Sequence, residues 1–350
     1  MPDRNGTERV DAGGKGAPED TWPLPYDNRE SCLARNWTCV VRDPLWATRI
    51  AFNIGLCLPV SALGIVGNLL ALVVLCRLKP RTTTKVLLQC LAVADIFVLV
   101  FSIIFISVRT LVECYLPCSV YWRHLPYMFP YLYPFVYITR TCSTWLTVLL
   151  TVNRYIVVCK PLHARRICTL SRLWKEVVLL VLLSVLLSLP RFFEHTTTLR
   201  RTKMVTDRRY ILVYRICLFT LVNYIIPIVL LSILNILLVR NLRQADVTRD
   251  RLRAASKESV LKRSITLVVA VVVLIHLLCN VPAMAAHVTW SVEITFRHRQ
   301  GALVDARRYM SIVSNFLIVF NSAVNFVVYV LCIQHLRTSM RSIGFRPDRN

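Results

Sequence analysis

Tyr127-Met-Phe-Pro-Tyr-Leu-Tyr-Pro-Phe-Val-Tyr-Ile-Thr-Arg140-Thr-Cys-Ser143-Thr-Trp-Leu-Thr-Val-Leu-Leu-Thr-Val-Asn153-Arg154-Tyr155-Ile-Val-Val-Cys-Lys-Pro161-Leu162 is apolar over most of its length, yet it contains two arginines. On a helix rising ~1.5 Å per residue, Arg140 and Arg154 lie roughly 21 Å apart, within a hydrocarbon slab ~30 Å thick. A charge at that depth faces a bundle interior or a watery cavity. The segment therefore reads as the central post of a multi-helix membrane protein. A soluble helix with stray arginines fails on the length of the run and on the segments that accompany it.

Working outward, the chain of 350 residues is 55% hydrophobic, too apolar for an ordinary soluble domain. Seven runs have the length and composition of membrane spans: Ala51–Cys76, Val86–Val108, Tyr127–Val152, Leu173–Phe193, Ile211–Val239, Ile265–Trp290 and Tyr309–Ile333. The fourth is the weakest, because its uncharged core runs only from Val177 to Pro190 and requires Lys175 and Glu176 to reach the interface. These spans predict an all-α membrane protein, a seven-transmembrane helix bundle over residues 50–334. A polar tail over 1–49, rich in Gly and Pro, is expected to be disordered and extracellular. Over 335–350, Leu336, Met340 and Ile343 stand at helical spacing with Arg337 and Arg341 between them. That pattern predicts a short cytoplasmic amphipathic helix lying at the interface and ended by Gly344. No apolar stretch precedes Ala51, so no cleavable signal peptide is expected.

Basic residues set the orientation. The loops after the first, third and fifth spans plus the C-terminal tail hold 22 Lys and Arg, Lys175 included, against 13 on the other side with Arg191 and Arg215 of the adjoining span ends included and the N-terminal tail left aside. This places the N-terminus outside and the C-terminus inside. The net charge of +24 is thus shared between membrane-flanking loops and an outer vestibule, in contact with lipids rather than nucleic acid. Sequons at Asn5 and Asn36 fit a glycosylated outer tail. Cys32, Cys39, Cys114 and Cys118 fall in extracellular stretches, where disulfides persist; three pairings are open to them. No Cys/His set has metal spacing and no nucleophile–base set stands out, so neither an enzyme nor a metal site is expected.

Polar groups recur inside the spans: Asn68 after Gly67, Asp95 in Leu91-Ala-Val-Ala-Asp95, Ser143, then Asn321, Ser322 and Asn325. Asn321 and Asn325 share one helical face. Four helices thus bring small polar groups to a similar depth, either as helix–helix hydrogen bonds or as a built polar core.

Gly67-Asn68, Asp95, Asn153-Arg154-Tyr155 with Pro161-Leu162, Pro227, Cys279-Asn280-Val281-Pro282 and Asn325-Phe-Val-Val-Tyr329, in this order, resemble the helix-by-helix signatures of rhodopsin-like (class A) G-protein-coupled receptors. Leu189-Pro-Arg-Phe-Phe-Glu194, Asn223-Tyr-Ile-Ile-Pro227 and Asn321-Ser-Ala-Val-Asn-Phe326 are similar to invertebrate FMRFamide-type neuropeptide receptors. The resemblance implies a plasma-membrane receptor for an extracellular peptide, coupled to a heterotrimeric G protein. It implies a sodium pocket of Asp95, Ser143, Asn321, Ser322 and Asn325. Arg140, one turn above Ser143, either reaches down to Asp95 in place of sodium or points up to an anionic or carbonyl group of the ligand. Stepping by helical turns, Tyr133, Tyr137 and Arg140, then His287, Trp290 and Asn315, face an outer cavity. Glu194, Glu113, Glu293 and Asp305 are its candidate acids, in a field made basic by Arg200, Arg201, Lys203, Arg208 and Arg209. Inside, Arg154, Tyr155, Pro161, Leu162 and the basic stretch from Arg240 to Arg263 are the expected G-protein surface.

The departures are specific. Asn153 replaces the family's usual acid and cannot ion-pair with Arg154, and Lys262 stands where an acid is often found on the sixth span. Raised basal signalling is the expectation. Asn280 stands in for the usual tryptophan, His276 for a phenylalanine and Asn235 for a tyrosine. The disulfide that joins the third span to the second outer loop is absent, with Phe129 at its position and no cysteine in Phe192–Tyr214. That loop needs another anchor, an Arg–Glu contact or a hairpin around Thr196-Thr197-Thr198. A non-signalling decoy is the competing class. A transporter or channel is disfavoured because no repeated halves are visible.

Overall fold

The computed structural model describes residues 45–77, 82–115, 118–194, 202, 204, 207–252, 257–296 and 301–342; side chains are described for these except at 113, 118–130, 242, 243, 245–269, 290, 292–305 and 327–342. Seven helices long and apolar enough to cross a membrane account for nearly all of it. They are α1 (Trp46–Arg77), α2 (Thr83–Val112), α3 (Cys118–Cys159), α4 (Leu170–Phe193), α5 (Tyr210–Asn241), α6 (Lys257–Phe296) and α7 (Gly301–Ser342). All seven expected spans are present, the weak fourth included. Its charged first turn is accommodated by an Arg172–Glu176 pair at 3.2 Å on the outside of the helix.

Neighbouring helices close a ring, with α7 packed on α1, and α3 touches α2, α4, α5 and α6. That makes α3 the central post, as its buried charges require. The bundle carries many polar groups among the apolar ones inside it and is apolar outside. Asn68, Asp95, Thr151 and Arg215 are fully buried, while Leu63, Leu182 and Leu278 are each more than 60% exposed. In water this inversion would be ruinous; in lipid the outer leucines have their solvent and the inner polar groups have one another.

Close approach of α1 to α7 depends on small residues. A Cβ at Gly64 would lie 2.7 Å from the Ala323 Cβ, and one at Gly67 would fall within the Phe326 ring. Asn68 then bridges the two helices, its Nδ2 donating to the Gly64 carbonyl (2.8 Å) and the Ser322 carbonyl (3.2 Å).

α5 opens with wide, i→i+5 turns over Tyr210–Phe219 and Leu221–Ile225, and becomes an ordinary α-helix at Ile226. Buried Pro227 cannot donate to the turn before it, so the register upstream is free to widen. The widening sets the directions of Tyr214, Arg215, Phe219 and Tyr224. At the other end, α7 runs without interruption to Ser342, so no turn separates the seventh span from the expected amphipathic helix. No Gly or Pro occurs between Gly301 and Gly344 to break it. Asn5, Asn36, Cys32, Cys39 and Thr196-Thr197-Thr198 lie outside the described residues.

Candidate functional site

Polar and aromatic side chains gather in three layers along α3. The outer layer is built where α4 ends and α5 begins. Pro190 turns the end of α4 into a tighter helix, Leu189–Phe193, which carries Arg191 and Glu194 into the bundle. Both are fully buried, as is Arg215 of α5. The Glu194 carboxylate accepts from Arg215 Nη2 at 2.9 Å and from the Tyr210 hydroxyl at 2.7 Å, and Arg191 Nη1 stands 3.8 Å away. The Arg191 guanidinium is sandwiched between rings, 3.7 Å from the centroid of Tyr137 and 4.0 Å from that of Phe219. A buried ion forfeits several kcal/mol of hydration, and a cation–π contact returns roughly 0.5–2 kcal/mol. Rings alone therefore do not balance Arg191; it leans on Glu194 as well.

This cluster is the Arg–Glu anchor that the missing disulfide demands. The chain leaving α4 is held further by Thr202, whose hydroxyl donates to the Phe193 carbonyl at 2.8 Å and whose N–H donates to the Glu194 carbonyl at 3.2 Å. Glu194 is thus an engaged acid, already serving cations of its own chain.

Tyr133, Tyr137 and Arg140 do face inward from α3. The two phenol oxygens are 2.5 Å apart. Tyr137 packs edge-on against Phe219, which in turn lies against His287 of α6. His287 Nε2 is 3.1 Å from the Arg215 carbonyl. Tyr133, Tyr137, Arg140, His287 and Asn315 are half-buried. The side chains of Trp290, Glu113, Glu293 and Asp305 lie outside the described residues. The guanidinium of Arg140 lies against the Tyr224 ring of α5, 5.1 Å from the centroid. Among the described residues no ion pair joins it to Asp95.

The middle layer sits one turn lower. Asp95 is fully buried and accepts from Ser143 Oγ at 2.7 Å and from Asn325 Nδ2 at 2.7 Å, with Ser322 beside it. Asn321 is not part of this set. It turns to α6, its Nδ2 3.4 Å from His276 Nδ1. Asn280 donates to the His276 carbonyl at 2.8 Å, and Ser314 of α7 donates to the Pro282 carbonyl at 3.1 Å. Around the position usually held by an aromatic switch, Asn280 bonds within α6, while the Asn321–His276 and Ser314–Pro282 contacts link α7 to α6. Asn235 of α5 donates to the Ala270 carbonyl of α6 at 3.3 Å.

The inner layer is organised by Asn153. Its Oδ1 accepts from Thr84 at 3.1 Å and Thr83 at 3.4 Å, so the amide is committed to the first turn of α2. Arg154 is buried and Tyr155 half-buried. Pro161 starts a short helix, Pro161–Ile167, in which Leu162 is 82% exposed, an apolar side chain offered at the inner face. Tyr329 lies on α7, its side chain outside the described residues.

Sequence reasoning missed Arg191, Arg215, Phe219 and Tyr224. The depth argument that singles out Arg140 applies equally to Arg215, a charge within the apolar run Ile211–Val239, and would have found it.

A seven-helix bundle with two carboxylates and several guanidiniums buried in its interior is a membrane protein of the heptahelical class. The chain belongs to the rhodopsin family of 7-transmembrane receptors, whose family model matches residues 67–329. This is a family of receptors rather than enzymes, and the chain is a multi-pass plasma-membrane protein. It is 28% identical to the FMRFamide receptor of Drosophila melanogaster over 85% of this chain and 55% of that protein. It is 28% identical to the Drosophila melanogaster sex peptide receptor over 83% of this chain and 72% of the relative. Against the growth hormone secretagogue receptor type 1 of Mustela putorius furo the identity is 26%, over 94% of this chain and 89% of the relative. The chain thus spans little more than half the length of the first of these relatives.

Proposed function

We propose that the protein is a receptor for an extracellular peptide, FMRFamide-like in its general class, and that it signals through a heterotrimeric G protein. The observation that carries this reading is that a single helix, α3, presents Tyr133, Tyr137 and Arg140 to a partly open outer interior and Arg154-Tyr155 at the inner end. A ligand that shifts α3, or the helices packed on it, moves both ends together. The names of the relatives, FMRFamide and sex peptide receptors among them, support the peptide class. Exposed Leu162 and the basic stretch from Arg240 supply an apolar and an electropositive contact for the inner partner.

Asn153 carries no charge with which to hold Arg154 at rest, and its amide is spent on Thr83 and Thr84. Basal output above that of an acid-bearing relative follows. The same substitution is what a ligand-binding decoy would display, and that reading is kept as the second one. Asp95 retains acceptor capacity beyond its two hydrogen bonds, so the polar core fits a sodium ion held by Asp95 and Ser143.

Cells expressing the receptor with a promiscuous G-protein reporter, screened with amidated and acidic peptides side by side, test the proposal. A saturable response that disappears in Arg154→Ala supports it. Saturable peptide binding with no G-protein output at any receptor level would favour the decoy.

A further inference from the structure

We infer that the outer site takes an anionic group of its ligand, a carboxylate docked against Arg140; this deepens the peptide-receptor reading and rests on it. In this layer the described side chains include three guanidiniums, Arg140, Arg191 and Arg215, and a single carboxylate, Glu194. That carboxylate already takes Arg215 at 2.9 Å and the Tyr210 hydroxyl at 2.7 Å, with Arg191 beyond at 3.8 Å. Glu194 therefore has little left for a cation from outside, and among the described side chains of this layer positive charge is in excess.

Arg140 is the member of the set left to a ligand. No ion pair reaches it among the described residues, and its Nη2 has no hydrogen-bond partner although that atom is buried. It lies against Tyr224, 5.1 Å from the ring centroid, and that contact leaves Nη2 without a hydrogen-bond partner. Asp95, one layer down, bonds to Ser143 and Asn325, and among the described residues no ion pair joins it to Arg140. Arg191 lies between Tyr137 and Phe219 and adds its field without being reachable, since it is fully buried. Around Arg140 the half-buried Tyr133, Tyr137 and His287 provide an aromatic wall that suits an aromatic residue next to the anion. A planar carboxylate matches the guanidinium fork in two parallel hydrogen bonds, which a neutral amide cannot reproduce.

The test uses acetyl-Phe-Phe with a free C-terminal carboxylate and the same dipeptide as its C-terminal amide, a pair differing only in the charge at issue. Each is titrated into the detergent-purified full chain while the thermal unfolding midpoint is followed. The acid is expected to raise the midpoint with an apparent dissociation constant at least about tenfold below that of the amide. Arg140→Gln should erase the difference, and Arg140→Lys, which keeps the charge but loses the fork, should retain part of it. Equal effects of acid and amide, no shift with either, or a preference that survives in Arg140→Gln would each overturn the inference. So would chloride alone, exchanged for gluconate, giving the same shift as the acid, because the site would then be one for bare anions. A receptor that answers amidated peptides in cells yet shows no acid preference would refute the carboxylate while leaving the receptor reading intact.

Discussion

Two buried carboxylates, Glu194 and Asp95, sit in the same bundle and are held in opposite ways. Glu194 is clamped by a guanidinium at 2.9 Å with a second one close by, whereas Asp95 is held by a hydroxyl and an amide, both neutral. The first arrangement is a lock, in which each ion exists because the other does. The second is a socket, in which a carboxylate is solvated by small dipoles. Distance from lipid does not explain the difference, since both acids are fully buried. What differs is the neighbourhood: α4 and α5 contribute arginines, whereas α2, α3 and α7 contribute only hydroxyls and amides at this depth.

The largest expected effect follows from breaking the lock on one side. Glu194→Gln leaves Arg215 and Arg191 buried without their carboxylate, which costs about 3–5 kcal/mol. Surface expression and the thermal unfolding midpoint should both collapse. Combining it with Arg215→Met, which removes one stranded charge, should restore part of the loss. If Glu194→Gln were as stable as the parent, the description of this cluster as an anchor would be wrong.

The socket should respond more mildly. Asp95→Asn keeps shape but sets an Nδ2 group against one of its two donors, a loss of about 1–3 kcal/mol. The fold should survive at reduced stability, and the order Glu194→Gln worse than Asp95→Asn is itself the check on the comparison. The same variant separates the socket from the lock functionally. Sodium is expected to lower agonist affinity in the parent and to leave Asp95→Asn unaffected, as read by competition binding with and without sodium. Since Arg140 lies on Tyr224, a parent receptor blind to sodium would count against a sodium site at Asp95.

Much of this was legible before any coordinates. Period and length reveal the seven spans because lipid imposes one rule on every helix. Asp95, Ser143 and Asn325 were legible as a set because a carboxylate in lipid needs donors, and few are available at that depth. Asn321 and Arg140 were not. Asn321 shares a face with Asn325, yet it turns to His276, and a one-turn offset leaves the reach of Arg140 open between two layers. Side-chain direction across a bundle depends on rotamers and on the widened turns of α5, neither of which is written in the hydropathy. The uninterrupted α7 was missed for the opposite reason: the amphipathic spacing after Ile333 is real, but it continues a helix that runs unbroken from Gly301 to Ser342.

The smallest effect concerns the inner layer, where the comparison extends to a position with no acid at all. Asn153 is held by Thr83 and Thr84 in the same neutral manner as Asp95 is held by its donors. Asn153→Asp would convert that socket toward a lock by placing a carboxylate next to Arg154. A hydrogen bond to a charged group contributes about 1.5–3 kcal/mol, enough for ligand-independent output to fall roughly tenfold if the resting state alone gains it. The measurement is G-protein output against receptor dose without agonist, for parent and variant at matched surface expression. A flat parent dose line would show that Thr83 and Thr84 restrain this end of α3 as well as an acid does. A steep line flattened by Asn153→Asp would show that neutral donors position the helix but do not lock it, which is the distinction between the two carboxylates carried to the signalling end of α3.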